Sequence, residues 1–248
     1  DTPSACCGRA STEPSAMPSS VATSRPAPPS ASRASRSPAV SVGRIVSVIT
    51  DMTEPLGLKV GNFLEVEESL DCLEGRGPAD LMELTYRLGA WMLVAGGKAR
   101  DPAEARRVCE AAVSSGDAMR LFMDNVRGQG GDPDRMLAMR GKARSAHSFE
   151  LKAGAEGFLA IDAYGIGLAG VYLGVGRDKT TDPVFPDVGF EFIRKSGERV
   201  RPGAPICVVY GKDGKALEAA RPLIEGAVAV SAAPPARRPL IMKEIAAE

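Results

Sequence analysis

The sequence predicts an α/β fragment, one strand plus the outer helices of a mixed α/β domain, followed by a small α+β domain of barrel-sandwich type and preceded by a disordered leader. Three observations predict it. Residues 1–42 are mostly Ser, Pro, Ala and Thr, with almost no large apolar side chain, too few to offset the entropy of ordering them. A β-branched run at 44–50 then feeds four segments whose apolar residues recur at helical spacing. From about Ser148 the pattern shortens into apolar runs divided by Gly and Pro, as in strands joined by turns. The implied boundaries are a leader over 1–42, the C-terminal part of an α/β domain over 43–142, an α+β domain over 148–225 and a tail over 226–248.

The chain opens on Asp1 rather than Met, so a fragment or a processed product is expected. The Arg-rich, Ser-rich and acid-poor composition of 1–42 fits an organelle transit peptide. The favoured alternative is a non-native stretch joined ahead of a truncated coding region.

The elements follow in order. RIVSVIT at 44–50 reads as a buried strand. Residues 51–61 form a loop punctuated by Pro55, Gly57 and Gly61. Asn62 is expected to cap the first helix, with Glu65 completing a capping box. Phe63, Val66, Leu70 and Leu73 continue that helix, and Gly75 and Gly77 stop it. Pro78 opens a second helix carrying Leu81, Leu84, Leu88 and Trp91 on one face, and Gly96 and Gly97 end it. Asp101-Pro102 starts a third, with Glu104 behind the cap, which closes at Gly116. A fourth runs from Asp117 to the Gly-rich stop at 128–131. In the second half, 158–161, 190–193 and 206–209 read as strands, 168–173 as a short helix, and 216–225 as a last helix started or interrupted by Pro222.

Charge and composition remove several classes. There are 31 basic and 31 acidic side chains, so the excess of cations that lets a protein neutralise many phosphates is missing. The same balance argues against a polybasic membrane-surface protein, and no run of ~18 apolar residues occurs to span a bilayer. Neither a nucleic-acid nor a membrane partner is expected. The five cysteines, Cys6, Cys7, Cys72, Cys109 and Cys207, have no C-x-x-C spacing and suggest neither a disulfide framework nor a zinc site. A reducing, cytoplasmic location is expected.

Isolated motifs carry little chemistry. The single His147 sits beside Ser145 with no evident carboxylate partner and reads as a surface residue. Gly165, Gly167 and Gly170 spell G-x-G-x-x-G with Asp182 and Asp187 downstream. No second βα unit follows, so a glycine-permitted strand-to-helix turn is expected rather than a dinucleotide loop. Glu65, Glu67 and Glu68 are a solvated helix face on the plain reading; the alternative is a hard-cation site of loop carbonyls and one carboxylate. Residues 195–210 alternate as in swinging-arm carrier domains, but the only Met-Lys pair, Met242-Lys243, stands near the C-terminus outside any hairpin. That pattern is read as a scaffold without a modification site.

Longer stretches say more. VITDMTEPLGLKVGNFLEVEESL at 48–70, GRGPADLMELTYRLGAWML at 75–93, FMDNVRGQGGDP at 122–133 and GIGLAGVYLGVGRDKTTDPVFPDVGFEFIRKSGERVRPGAPI at 165–206 resemble, in order and spacing, the pyrimidine-nucleoside phosphorylases of the thymidine phosphorylase type. The family's corresponding stretches are close to ITDM-x-x-PLG, GPxDL, QGGD, LGAGR and DPAVG. The resemblance extends over about 200 of the 248 residues and includes the final RRPLIMKEI. It implies a pentosyltransferase of pyrimidine nucleoside salvage, which reversibly phosphorolyses a pyrimidine nucleoside to free base and pentose 1-phosphate, with no cofactor required.

The departures from the family matter equally. The Gly-rich phosphate loop and the Arg, Ser and Lys that hold the pyrimidine precede the ITDM strand, where this chain has residues 1–42. No catalytic or substrate-binding residue can be carried over, and the chain by itself is expected to be inactive. One feature does carry over by position: several bacterial members hold a potassium-like cation near the hinge, which implies ligation here by the carbonyls of Leu56 and Lys59 and the carboxylate of Glu68. That site would be incomplete, and the Lys59 ammonium would compete with the ion. Family members are homodimers through an N-terminal helical domain, so this chain is not expected to form that dimer. The alternative class is a non-catalytic interaction or carrier-like scaffold module.

Overall fold

Strand β1 (Val46–Thr50) leads through a loop to the two-residue β2 (Lys59–Val60); helices α1 (Asn62–Leu73), α2 (Ala79–Ala95), α3 (Pro102–Ser114), α4 (Asp117–Gly128) and α5 (Pro133–Ala138) follow. The second half comprises β3 (Ser148–Lys152), β4 (Gly157–Ile161), α6 (Ala163–Leu173), β5 (Gly189–Phe192), β6 (Arg199–Val200), β7 (Pro205–Tyr210), α7 (Gly214–Gly226), β8 (Val228–Ser231) and β9 (Ile241–Ala246). This computed structural model describes residues 45–177, 179–236 and 238–246. The expected leader, with Cys6 and Cys7, lies outside the described residues.

The mixed α/β character expected from the sequence is present, and its strands pair across the whole described chain. The four-stranded sheet has the order β2-β5-β7-β3, the three-stranded sheet β6-β4-β8, and β1 pairs only with β9. Every pairing is antiparallel. Two partnerships were not evident from local patterning. The ITDM strand β1 joins residues of the expected tail, Val46 opposite Ala246 and Ile49 opposite Lys243. The loop strand β2 becomes an edge of the second-half sheet, Lys59 opposite Glu191.

A single apolar core fills the second half. Leu159 and Ile161 from β4, Phe190 and Phe192 from β5, and Ile206 and Val209 from β7 meet Ile166 and Leu173 of α6 and Ile224 of α7. Alternation puts Leu159 and Ile161 on one face of β4, and Cys207 and Val209 on one face of β7, as the period of two requires; Ile206, of the other parity, is buried as well. Cys207 is fully buried in this core, and burial pushes its thiol up to about 12, which leaves it unreactive. Cys72 and Cys109 are also unbridged.

Several helix ends differ from expectation. Gly61, not Asn62, is the residue before α1; Glu65 still reaches back to its N–H at 3.0 Å. The Asn62 amide instead donates to the carbonyls of Phe185 (2.9 Å) and Val175 (3.3 Å), tying α1 to the second half. Helix α3 starts as read, with Asp101 accepting from the Glu104 N–H at 2.8 Å. Helix α6 begins five residues earlier than expected, because Asp162 accepts from the Gly165 N–H at 2.9 Å and caps it. Gly165 and Gly167 therefore lie inside the helix rather than in a turn before it. A Cβ on Gly165 would stand 2.7 Å from that of Ala227, so glycine permits the close approach of α6 to the end of α7. Helix α7 runs straight through Pro222. No described helix is long and apolar enough to cross a membrane.

Candidate functional site

The loop between β1 and β2 is where named chemistry converges. Its backbone turns sharply at Gly57, φ +71°, a conformation that disfavours a side chain. Its Leu58 N–H faces α1 and donates to Glu68 Oε1 at 2.7 Å, and a Cβ added to Gly57 would collide with Glu68 Oε2. Its carbonyls face the other way. The Lys195 ammonium, from the turn after β5, donates to Pro55 O at 2.9 Å, to Gly57 O at 2.8 Å and to the Asp80 carboxylate. Asp80 also accepts from the Gly57 N–H at 3.2 Å. It stands in the first turn of α2, where the helix dipole favours an anion.

The electrostatics follow from this geometry. Burial pushes the Glu68 carboxyl up, and this outweighs the N–H groups of Leu58 and Lys59 that pull it down. Burial also acts upward on Asp80, but the hydrogen bond and charge of Lys195 overcome it and hold Asp80 low.

A second cluster anchors the same loop from behind. Arg144, in the linker between α5 and β3, contacts Glu67 and Glu191 at once, with Nη2 2.6 Å from a carboxylate oxygen of each. The Tyr210 hydroxyl donates to Glu191 at 2.9 Å, and the Gly141 N–H donates to Glu67 at 2.7 Å. Burial raises Glu67 and Glu191, yet their hydrogen bonds to Arg144 prevail and depress both. The Lys59 ammonium turns here too, 3.3 Å from Glu67 and 3.5 Å from Asp71.

Between the loop, the start of α2 and the 193–198 turn opens a cleft of about 1070 Å³. Its lining carries the carboxylates Asp51, Glu54, Asp80, Asp162 and Glu198 against the cations Lys195 and Arg238. Several of these carboxylates are already engaged: Asp162 caps α6 and Glu198 accepts from the Lys195 N–H at 2.8 Å. Among the described residues no group of three or more His, Cys, Asp or Glu side chains is placed to hold a metal ion.

Of the residues singled out from the sequence, Glu68 is buried under the loop, Leu56 lies on the loop, and Lys59 opens the strand β2 that follows it. The acidic run is not a solvated face: Glu65 is exposed, while Glu67 and Glu68 are 1% and 5% exposed. His147 is exposed, as read. Asp80, Lys195, Arg144 and Glu191 escaped sequence reasoning. Asp80 and Lys195 each lie in a stretch that carries the family resemblance, but 115 residues separate the pair, and no local pattern joins them.

Comparison with known proteins places this geometry in context. Residues 159–231 match the family of the pyrimidine nucleoside phosphorylase C-terminal domain. The chain is 39% identical over 201 residues to a thymidine phosphorylase of Mycobacterium tuberculosis, covering 80% of this chain and 44% of that protein. It is 37% identical over 172 residues to a pyrimidine-nucleoside phosphorylase of Bacillus subtilis, covering 68% and 40%. It is 32% identical over 206 residues to a pyrimidine-nucleoside phosphorylase of Geobacillus stearothermophilus, covering 82% and 47%. The resemblance read from the sequence is therefore borne out, and the chain spans slightly less than half the length of these relatives.

Proposed function

We propose that this chain carries the C-terminal portion of a pyrimidine-nucleoside phosphorylase, a pentosyltransferase that reversibly converts a pyrimidine nucleoside and phosphate to free base and pentose 1-phosphate, and that the 248 residues alone do not catalyse it. The observation that carries the family reading is the 201-residue match at 39% identity, which covers 80% of this chain. The second-half domain would be the scaffold of barrel-sandwich type against which the α/β part is held. A cytoplasmic location, and failure to form the homodimer that the family resemblance implies, belong to the same reading.

Chemistry supports the inactivity. Phosphorolysis needs phosphate and nucleoside fixed in one cleft with reacting atoms roughly 3–3.5 Å apart. It also needs donors aimed at the oxyanions that develop, each worth about 10²–10³ in rate. The described cleft is lined by five carboxylates and two cations, and Lys195 is already bound to Asp80. Such a lining repels phosphate. The carrier-like alternative gains nothing, because Lys243 pairs within the β1–β9 ladder instead of standing at a hairpin tip.

Two assays test this reading. The purified chain should release no thymine or uracil above background when phosphate is supplied; saturable, phosphate-dependent release by a preparation free of longer homologues would overturn the inactivity. A chimera in which the matching stretch of this chain replaces that of the Mycobacterium tuberculosis relative should regain phosphorolysis. A folded but inert chimera would count against the family function.

A further inference from the structure

We propose that the Lys195 ammonium is the resident cation of the loop between β1 and β2, so that this chain needs no exchangeable alkali ion to order that loop. Its three partners are two backbone carbonyls, Pro55 O at 2.9 Å and Gly57 O at 2.8 Å, and the carboxylate of Asp80. Carbonyls plus a carboxylate are the oxygen donors that a hard cation takes. An ammonium has three N–H donors and no acceptor, and here each donor has an oxygen.

Of the oxygens implied for a free ion, the one carboxylate is committed differently. The Glu68 carboxylate receives the Leu58 N–H at 2.7 Å and lies against the Gly57 backbone. The ammonium of Lys59 faces Glu67 and Asp71. The loop is thus held between an anion on its N–H side and a cation on its carbonyl side, both supplied by the chain. Asp80 joins the two sides by accepting from the Gly57 N–H at 3.2 Å.

The tether is also firm. The Lys195 N–H donates to Glu198 Oε1 at 2.8 Å, and the Ile193 N–H donates to Ile206 O at 2.8 Å. The turn that delivers the ammonium is therefore held on β7 by contacts independent of the loop. A cation attached to the chain has a high effective concentration at its site and loses little freedom on binding. A dissolved monovalent ion forfeits both advantages. None of this depends on phosphorolysis.

The experiment uses the full chain and the Lys195→Met variant, each in potassium chloride and in choline chloride at equal ionic strength. Thermal unfolding and hydrogen exchange across residues 51–61 are followed. The wild type should have the same Tm and loop exchange in both salts. In choline the Lys195→Met chain should melt lower and exchange roughly tenfold faster in the loop, and potassium should restore both saturably. Saturable protection of the wild-type loop by potassium would overturn the proposal, as would a Lys195→Met chain indifferent to the salt. Should that variant not fold, Asp80→Asn removes the carboxylate and keeps the ammonium. Its loop should exchange faster than wild type in choline, and unchanged exchange would overturn the proposal equally.

Discussion

Arg144 grips Glu67 with two parallel contacts, Nη2 to Oε2 at 2.6 Å and Nη1 to Oε1 at 3.1 Å, and turns its remaining edge to Glu191. Glu67 sits on α1 and Glu191 on β5, so one guanidinium joins the helix beneath the loop to the second-half sheet. The fork of Arg suits two carboxylates in a way that the point charge of Lys does not.

Arg144→Met should cost about 3 kcal/mol of unfolding free energy, because it removes the cation that Glu67 and Glu191 share and leaves the buried Glu67 only the Lys59 ammonium as counter-charge. Arg144→Lys should recover only part of that, since it cannot bridge both carboxylates. Urea denaturation checks both. A Met variant within 1 kcal/mol of wild type would show that water reaches the cluster freely.

Acid should weaken the fold. Glu67, Glu191 and Asp80 all have depressed carboxyl values in the folded chain. Their contribution is complete above the unfolded values, 4.5 for the two glutamates and 3.8 for Asp80, and is lost as pH falls through the lower folded ones. Glu68, which is raised, acts in the opposite sense and offsets part of the loss. The urea midpoint should therefore hold steady near neutrality and drop progressively below about pH 4.5. A midpoint that rises on acidification would mean that Glu68 dominates.

Gly57→Ala should destabilise by about 1–3 kcal/mol. The backbone there has φ +71°, and the new methyl would displace the Glu68 carboxylate from the Leu58 N–H. Comparing Gly57→Ala in wild-type and Glu68→Ala backgrounds separates the two causes. The penalty should shrink in the second background, where only the backbone strain remains, and an equal penalty would show that the carboxylate is not involved.

The β1–β9 ribbon should drive self-association. Ile49 and Ile245 are 44% and 47% exposed, and β1 has no ladder partner other than β9 among the described residues, a combination that invites edge-to-edge pairing. Ile49→Glu places a carboxylate directly opposite Lys243, a favourable cross-strand pair. Light scattering at micromolar concentration should show concentration-dependent, open-ended association of the wild type and markedly less of the variant. A discrete, stable dimer by sedimentation would contradict this.

The local grammar of the chain was legible in the sequence: α3 from its Asp-Pro start, α2 from Pro78, the inward runs of β4, β5 and β7, and the family resemblance from stretches in fixed order. These depend on side-chain period and backbone preference within a few residues, which local patterning encodes. The missed elements depend on distant partners. Local patterning leaves β9 in the tail; pairing with β1, 194 residues earlier by the register of Ile49 and Lys243, is what makes it a strand. Helix α6 looked short because two glycines lower helix propensity, yet the Asp162 cap and packing against Ala227 outweigh that cost. The sequence by itself determined the helices α1 to α4, the apolar strands of the second half and which proteins the chain is like. Only the tertiary structure decided that Glu67 and Glu68 are buried, that Arg144 pairs with one of them, and that Lys195 rather than Lys59 presents its ammonium to the loop carbonyls. A charged residue's role is set by the oxygens and nitrogens that folding brings within about 3 Å of it, and sequence spacing does not carry that distance.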